Sequence, residues 1–305
     1  MIVFSDLDGT FLTSDKQVSA GNLAALDALA AAGVPFVPCT GRALTGIARP
    51  IIEHPAARYA ITSNGAAITD LRAGAIMHRV DLGRERALAC YELTRGRDVT
   101  FDIFADGRIY THRSCYDRLG EYIADPAVLA SVRRSRTTYD GETGAFLAGL
   151  EHIERVAMYW YDARDRDAIL GELAGATDLS VVRSVENDIE ISDAGATKGL
   201  ALVWLCGELG IPIGEAVAFG DNINDTSMLE AAGLGVAMGN AEPEAKAAAD
   251  AIAATNDERR YLPATAARRA AVGDGRGRLA PVDAPKWRVR NPECAKRAFY
   301  RHPRK

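Results

Sequence analysis

Two aspartates with one residue between them, Asp6 and Asp8, close an apolar run at the head of the chain, Ile2-Val3-Phe4-Ser5-Asp6-Leu7-Asp8-Gly9-Thr10. A short, mostly apolar run reads as a parallel strand buried on both faces. In an open α/β sheet, ligands bind just outside the carboxyl ends of the strands. Carboxylates placed there can attack as nucleophiles, move protons or hold a metal. An acidic turn is the plain alternative. A calcium loop of the EF-hand kind needs Gly at its sixth position and Glu at its twelfth. Counted from Asp6, those positions hold Phe11 and Gln17, so that reading fails.

Three more stations carry the same kind of chemistry. Thr40 stands in Thr40-Gly41-Arg42, Lys198 follows Ala194-Gly195-Ala196-Thr197, and an acidic loop runs Gly220-Asp221-Asn222-Ile223-Asn224-Asp225. Clustered carboxylates make a hard oxygen site of the sort Mg²⁺ takes, with waters and a substrate phosphate completing its shell. A hydroxyl and an ammonium supply donors for phosphoryl oxygens. These are parts for phosphoryl transfer, where positioning and charge neutralisation dominate. Each station has a plain structural use as well: a strand end, a first helical turn, a helix N-terminus favoured by acidic residues. Their occurrence in order, at loop positions of one sheet, favours a common site. Arg42 and Asn64 lie on loops at the same edge, where each either meets a substrate or the inserted segment, or serves structure alone.

The elements that must position these residues follow from periodicity. Ser19 to Gly33 predicts a helix, with Ser19 as N-cap, Leu23, Leu26 and Leu29 at helical spacing, and Gly33 as C-cap. Val34–Cys39 and Tyr59–Thr62 read as the next strands, giving a parallel sheet with right-handed crossovers. Past residue 82 the rhythm changes. Arg84–Arg95 reads as a helix, and Thr100–Ala105 and Arg108–His112 flank the hairpin signal Asp106-Gly107. Two helical stretches, a strand at Val156–Tyr161, a helix at Asp165–Leu173 and a hairpin of Leu179–Val185 with Ile189–Ser192 follow. The parallel rhythm resumes with a helix at Lys198–Leu209, a strand at Ala216–Phe219, a helix at Asp225–Ala232, a strand at Leu234–Met238 and a helix at Pro243–Ala249. The expected division is a discontinuous core of residues 1–82 and 190–256, an α+β insert of residues 83–189, and a tail of residues 257–305. Tyr110, Tyr159 and Trp160 are expected in the core of the insert rather than on a substrate.

Composition excludes several classes. Apolar runs such as Leu200–Cys206 fall far short of the roughly 20 residues a membrane span needs. No basic stretch followed by an apolar one opens the chain, so no signal peptide is expected. Five scattered cysteines without a Cys-x-x-Cys pair suit a reducing cytoplasm better than a disulfide framework or zinc site. Net charge is -5, yet residues 257–305 hold 14 Lys and Arg against 5 Asp and Glu, so the body is acidic. An acidic body disfavours nucleic acid as a partner. No nucleophile-elbow Gly-x-Ser-x-Gly and no His-Glu-x-x-His occurs. Gly233-Leu234-Gly235 matches a dinucleotide loop only in part, since the third glycine falls at Gly239 and no helix begins there.

The constellation resembles the haloacid dehalogenase-like hydrolases, and within them the Cof-type sugar-phosphatase branch. The matching motifs are DLDGT, the threonine of TGR, SNGA, the lysine of GATKG, GDNIND and AMGNA, over about residues 1–256. The resemblance implies an α/β fold: a Rossmann-like parallel sheet core with an inserted α+β cap domain that closes over the site. It implies a Mg²⁺-dependent phosphatase acting on a small phosphorylated metabolite. Asp6 would be the nucleophile that forms an aspartyl-phosphate, and Asp8 the general acid and then base. Asp6, the backbone carbonyl of Asp8, and Asp221 would hold Mg²⁺, supported by Asn224 and Asp225. Thr40 and Lys198 would bind the transferring phosphoryl group, with Gly41, Arg42 and Asn64 as further substrate contacts. A phosphomutase of the same superfamily, or a non-catalytic binding protein on this fold, are the alternatives.

The tail departs from the family. Relatives follow Asn-Asp-Glu with Asp-Gly and a short apolar residue, whereas Asn256-Asp257-Glu258 is followed here by Arg259-Arg260-Tyr261. Its charge, weak apolar periodicity and prolines at 281, 285, 292 and 303 predict disorder. It is either a basic tail or a frameshift product, since Arg-Arg-Tyr read one base later can encode Asp-Gly-Ile.

Overall fold

The computed structural model describes residues 1–182 and 187–258. The chain begins with β1 (Ile2–Ser5), α1 (Ala20–Ala31), β2 (Phe36–Pro38), α2 (Arg49–Ile52), β3 (Tyr59–Thr62), β4 (Ala67–Asp70) and β5 (Ala75–Arg79). The insert follows: α3 (Arg84–Glu92), β6 (Asp102–Ala105), β7 (Arg108–His112), α4 (Arg113–Tyr122), α5 (Pro126–Ser135), β8 (Arg136–Tyr139), α6 (Thr143–Ala148), β9 (Ile153–Tyr159), α7 (Ala163–Leu173), β10 (Leu179–Val182) and β11 (Asp188–Asp193). The chain then returns with α8 (Lys198–Glu208), β12 (Ala216–Gly220), α9 (Thr226–Ala231), β13 (Leu234–Ala237), α10 (Pro243–Ala248) and β14 (Ala251–Ile252).

The central sheet runs β14-β13-β12-β1-β2, and every pairing in it is parallel. β1 is buried at all four positions between β12 and β2, as its apolar run requires. The ladder carries past its end: Asp6 N donates to Phe219 O and Cys39 N to Ser5 O. Asp6, Thr40 and Asp221 therefore leave the sheet at its carboxyl edge. A buried cluster including Phe4, Phe36, Leu202 and Phe219 packs the sheet against its helices. Ser19 caps α1 by accepting from Asn22 N at 3.1 Å, and Gly33 follows the helix at φ 65°.

The second sheet, β10-β11-β9-β6-β7-β8, is antiparallel except for β7 against β8; β11 pairs within it as far as Asp193, so the insert runs past the boundary expected at residue 189 and includes Glu190. It has its own buried cluster, including Phe101, Ile103, Val156, Met158 and Ile191. The molecule is thus an α/β fold with a parallel core and an inserted α+β cap. Tyr159 and Trp160 are buried, and Tyr110 packs edge-on against Phe146.

Several elements differ from the sequence expectation. Tyr59–Thr62 was expected as one more strand of the parallel sheet. It stands parallel to β2 through bridges Phe36–Ala57 and Cys39–Ile61, but its full ladder is antiparallel to β4 in a three-stranded sheet with β5. β4 and β5 went unread because Gly65 and Gly74 masked two short strands as turns. β8 was hidden between helical stretches. The helix expected from Asp225 is a 3₁₀ turn at Ile223–Asp225 leading into α9. The hairpin was expected around Asn187-Asp188, but Asp188 opens β11, and residues 183–186, at and just past the end of the expected strand Leu179–Val185, lie outside the described residues. So does the tail beyond Glu258; Asn256 and Asp257, just before it, are held by the fold. Asn256 Nδ2 donates to Leu12 O at 2.9 Å, and Asp257 accepts from the Ser14 hydroxyl at 2.6 Å.

Candidate active site

Asp6 is buried, and its Oδ1 accepts from Lys198 Nζ at 2.7 Å. Lys198 is the first residue of α8, whose N-cap Thr197 accepts from Leu200 N at 3.2 Å. That cap sets the entry angle of the helix and sends a lysine with 0% exposure under the sheet edge. The same ammonium donates to Asp225 Oδ1 at 2.6 Å. Asp225 Oδ2 accepts the backbone N–H groups of Asp221 and Asn222 at 2.9 and 3.0 Å. One carboxylate thereby shapes the acidic loop and pairs the lysine.

Asp6, Asp221 and Asp225 each present an oxygen within 4.8 Å of the others. Thr10 Oγ1 donates to Asp221 Oδ1 at 2.5 Å. Gly9, at φ 85°, lets the backbone pass this carboxylate: a Cβ there would lie 2.3 Å from Asp221 Oδ2. Burial pushes the Asp6 carboxyl well above its ordinary range; Lys198 opposes this, and Asp225, Asp221 and Asp8 add to it. Burial, then the charge of Asp225, pushes Asp221 up to about 7. Burial works against the Lys198 ammonium, but Asp225 and Asp6 outweigh it and hold its pKa above the ordinary value. Crowded oxygen donors that resist ionisation together fit a hard divalent cation, which would relieve the repulsion.

Asp8 turns away from this cluster. Its carboxylate takes a two-pronged contact from Arg42, Nε to Oδ2 at 2.7 Å and Nη2 to Oδ1 at 2.8 Å, and Lys16 Nζ lies 2.9 Å from Oδ1. Burial would raise its pKa, but Arg42 and Lys16 hold it well below the usual carboxylate range. Thr40 is buried, and its Oγ1 accepts from Arg42 N at 3.1 Å. Gly41 O accepts from Arg155 Nη2 of the cap at 2.7 Å. Asn64 Oδ1 accepts from Asn224 Nδ2 at 3.0 Å, so the Asn224 amide is joined to Asn64.

The structure adds residues that the sequence reading did not assign. Thr10 and Lys16 reach the two aspartates named above. Glu154, Arg155 and Glu190 of the cap are buried against core loops. The strand expected at Val156–Tyr161 begins at Ile153 instead, so Glu154 and Arg155 lie inside β9, all seven residues of which are buried.

The family model of haloacid dehalogenase-like hydrolases matches residues 3–260. Phosphatase YwpJ of Bacillus subtilis (strain 168) is 32% identical over 273 residues, which is 84% of this chain and 95% of that protein. The HMP-PP phosphatase of Klebsiella pneumoniae (strain 342) is 27% identical over 250 residues, covering 79% of this chain and 85% of the relative. The structure of a haloacid dehalogenase-like hydrolase from B. subtilis superposes with TM-score 0.74 at 30% identity, over 89% of this chain and 99% of that one. The chain belongs to the haloacid dehalogenase-like hydrolases, in their Cof-type branch, and is a phosphoric monoester hydrolase. Among the described residues no helix is long and apolar enough to cross a membrane.

Proposed function

We propose that the chain is a Mg²⁺-dependent phosphatase that hydrolyses a small phosphorylated metabolite, a sugar phosphate or similar ester, through an aspartyl-phosphate on Asp6. The observation that carries this reading is the cluster of Asp6, Asp221 and Asp225 at the carboxyl edge of the parallel sheet, with the buried Lys198 ammonium donating to Asp6 and Asp225. The similarity to the HMP-PP phosphatase of Klebsiella pneumoniae supports a small phosphorylated substrate.

Asp6 attacks phosphorus, and the bond to the ester oxygen breaks. Asp8 gives its proton to the leaving alkoxide, then takes one from the water that hydrolyses the aspartyl-phosphate. Lys198 offsets the repulsion between an attacking carboxylate and an anionic phosphate, and Thr40 offers a hydroxyl to a phosphoryl oxygen. Asp6, the carbonyl of Asp8, and Asp221 would hold Mg²⁺, with Asn224 and Asp225 in support. The bound ion would supply charge stabilisation and a template for the phosphoryl group. Asp8 can act as an acid only after its clamp to Arg42 and Lys16 loosens, so Arg42 is placed to exchange Asp8 for the incoming ester. Gly41 and Arg42 complete the contacts to substrate; Asn64, expected among them, has its amide engaged by Asn224 and Glu190 and acts through them.

The test is phosphate release from a panel of phosphorylated metabolites with Mg²⁺, for wild type and Asp6→Asn. The wild type should turn over and yield an acid-stable, base-labile phosphoprotein on quenching, and Asp6→Asn should do neither. Isomerisation of a sugar phosphate without phosphate release would instead indicate a mutase.

A further inference from the structure

One turn, Ser63-Asn64-Gly65, touches three loops of the site, those of Thr40–Arg42, Thr197–Lys198 and Asn224. Ser63 N donates to Arg42 O at 3.0 Å, and Asn64 N to Thr40 O at 3.1 Å. Gly65, at φ 106°, lies so close to the Thr197 carbonyl that a Cβ would stand 2.3 Å from its oxygen. The Asn64 side chain holds Asn224 of the acidic loop. The remaining side-chain donors of the turn face the cap. Ser63 Oγ donates to Glu154 Oε2, and Asn64 Nδ2 donates to Glu190 Oε2 at 2.6 Å.

Ser63 and Asn64 both have left-handed backbones, at φ 51° and 58°. This is uncommon outside glycine and persists where surrounding contacts over-determine it. The cap side of the contact is equally built. Glu154, Arg155 and Glu190 are 0%, 2% and 5% exposed. Glu190 Oε1 lies 2.6 Å from Arg155 Nη1, and Glu154 Oε1 accepts from Gly107 N at 2.9 Å. Buried carboxylates need donors, and here the core provides two of them. The apolar cluster that crosses the boundary is small: Ala43 with Phe104, Ile109 and Ala157. A seal made chiefly of charged and polar contacts can open to water and re-form.

We propose that Ser63 and Asn64 are positioning residues that form a latch. Glu154 and Glu190 engage it when the cap closes, and the same turn then fixes the Thr40–Arg42 loop and Asn224. The proposal rests on the phosphatase reading for its purpose, since closure excludes water from the site. Its test needs neither substrate nor turnover, so the two can fail separately.

The reporter is the Thr45 amide, which donates to Gly107 O at 3.3 Å across the same boundary. Its hydrogen exchange is measured in the full-length protein. Asn64→Asp keeps shape and tolerates the left-handed backbone, but it loses the donor and sets a carboxylate against Glu190. Exchange at Thr45 should rise about 10- to 100-fold, the factor expected for a lost hydrogen bond to a charged group. Adding Glu190→Gln moves the donor to the other partner and should restore protection, which a general weakening of the fold would not show. Ser63→Ala, acting on Glu154 alone, should raise exchange at the same amide. Unchanged exchange at Thr45 in both Asn64→Asp and Ser63→Ala, or a rise that Glu190→Gln fails to reverse, overturns the latch.

Discussion

Removing the Lys198 charge gives the sharpest test of the buried cluster. Lys198→Met keeps the length and apolar stem of the side chain but leaves Asp6 and Asp225 facing each other without a cation. At an effective dielectric near 20, the contacts of 2.7 and 2.6 Å are each about 6 kcal/mol of attraction. Much of that offsets desolvation of the three charges, and breaking such a buried pair typically costs about 3–5 kcal/mol. Protonation sets an upper bound on the loss. One carboxylate can take up a proton, and at pH 7 an acid of ordinary pKa 3.8 does so for about 4 kcal/mol. At pH 5 the same step costs about 2 kcal/mol. Urea unfolding in EDTA should therefore show Lys198→Met destabilised by about 4 kcal/mol at pH 7 and about half as much at pH 5. Saturating Mg²⁺ should recover part of the loss, because a divalent cation binds the folded state alone. A midpoint equal to wild type in EDTA at pH 7, or a penalty independent of pH, would refute the argument.

The remaining predictions concern protons, donors and the chain's end. The folded-state pKa of Asp221 is pushed up from 3.8 to about 7 by burial and the charge of Asp225, so the folded protein holds a proton that the unfolded chain has shed. The linked stability is present below pH 4 and lost as pH rises through about 7; the melting temperature in EDTA should fall between pH 5 and pH 8, and Mg²⁺ should flatten that slope. Thr10→Val removes the hydroxyl that favours the Asp221 anion; calorimetry at pH 7 should show Mg²⁺ affinity lowered about tenfold, and equal affinity would count against Asp221 as a ligand. Arg42→Ala frees Asp8 from the group that most lowers its pKa; the alkaline limb of kcat/KM should move to higher pH, and a stationary limb would remove Asp8 from the acid role. Truncation after Pro263 retains Asn256 and Asp257, whose contacts to Leu12 and Ser14 tie the strand-end loop; kcat/KM and melting temperature should match the full chain, and misfolding would show that later residues pack on the core.

What was legible in the sequence was what the chain writes locally. Asp6 and Asp221 announce themselves because a strand end and its acidic loop are contiguous, and because a buried β1 has no other use for two carboxylates at its edge. That β1, β2, β12 and β13 share one parallel sheet follows from the strand-helix rhythm for the same reason; their order in it does not. Asp225 reads in sequence as either a helix-terminal residue or part of a site; in the structure one of its oxygens accepts two loop N–H groups while the other meets Lys198. Asp8 reads in sequence as a member of the carboxylate and metal cluster, yet its carboxylate is held by Lys16 and by Arg42, and the Arg42 contact, between residues 34 positions apart, is one that no local pattern encodes. Glu154, Arg155 and Glu190 lie further still from sequence inference. Their partners Ser63, Gly41 and Asn64 are separated from them by 91, 114 and 126 residues. Periodicity marks those cap strands as buried and says nothing about what buries them. A charged pair inside an apolar strand does imply that the opposite surface supplies compensating groups, because an unpaired buried charge would not be tolerated. The compensating groups are the loops of the parallel core. The cap's charged interior thus exists for the contact with the core, and the residues that look misplaced in β9 are the ones that join the two parts of the molecule.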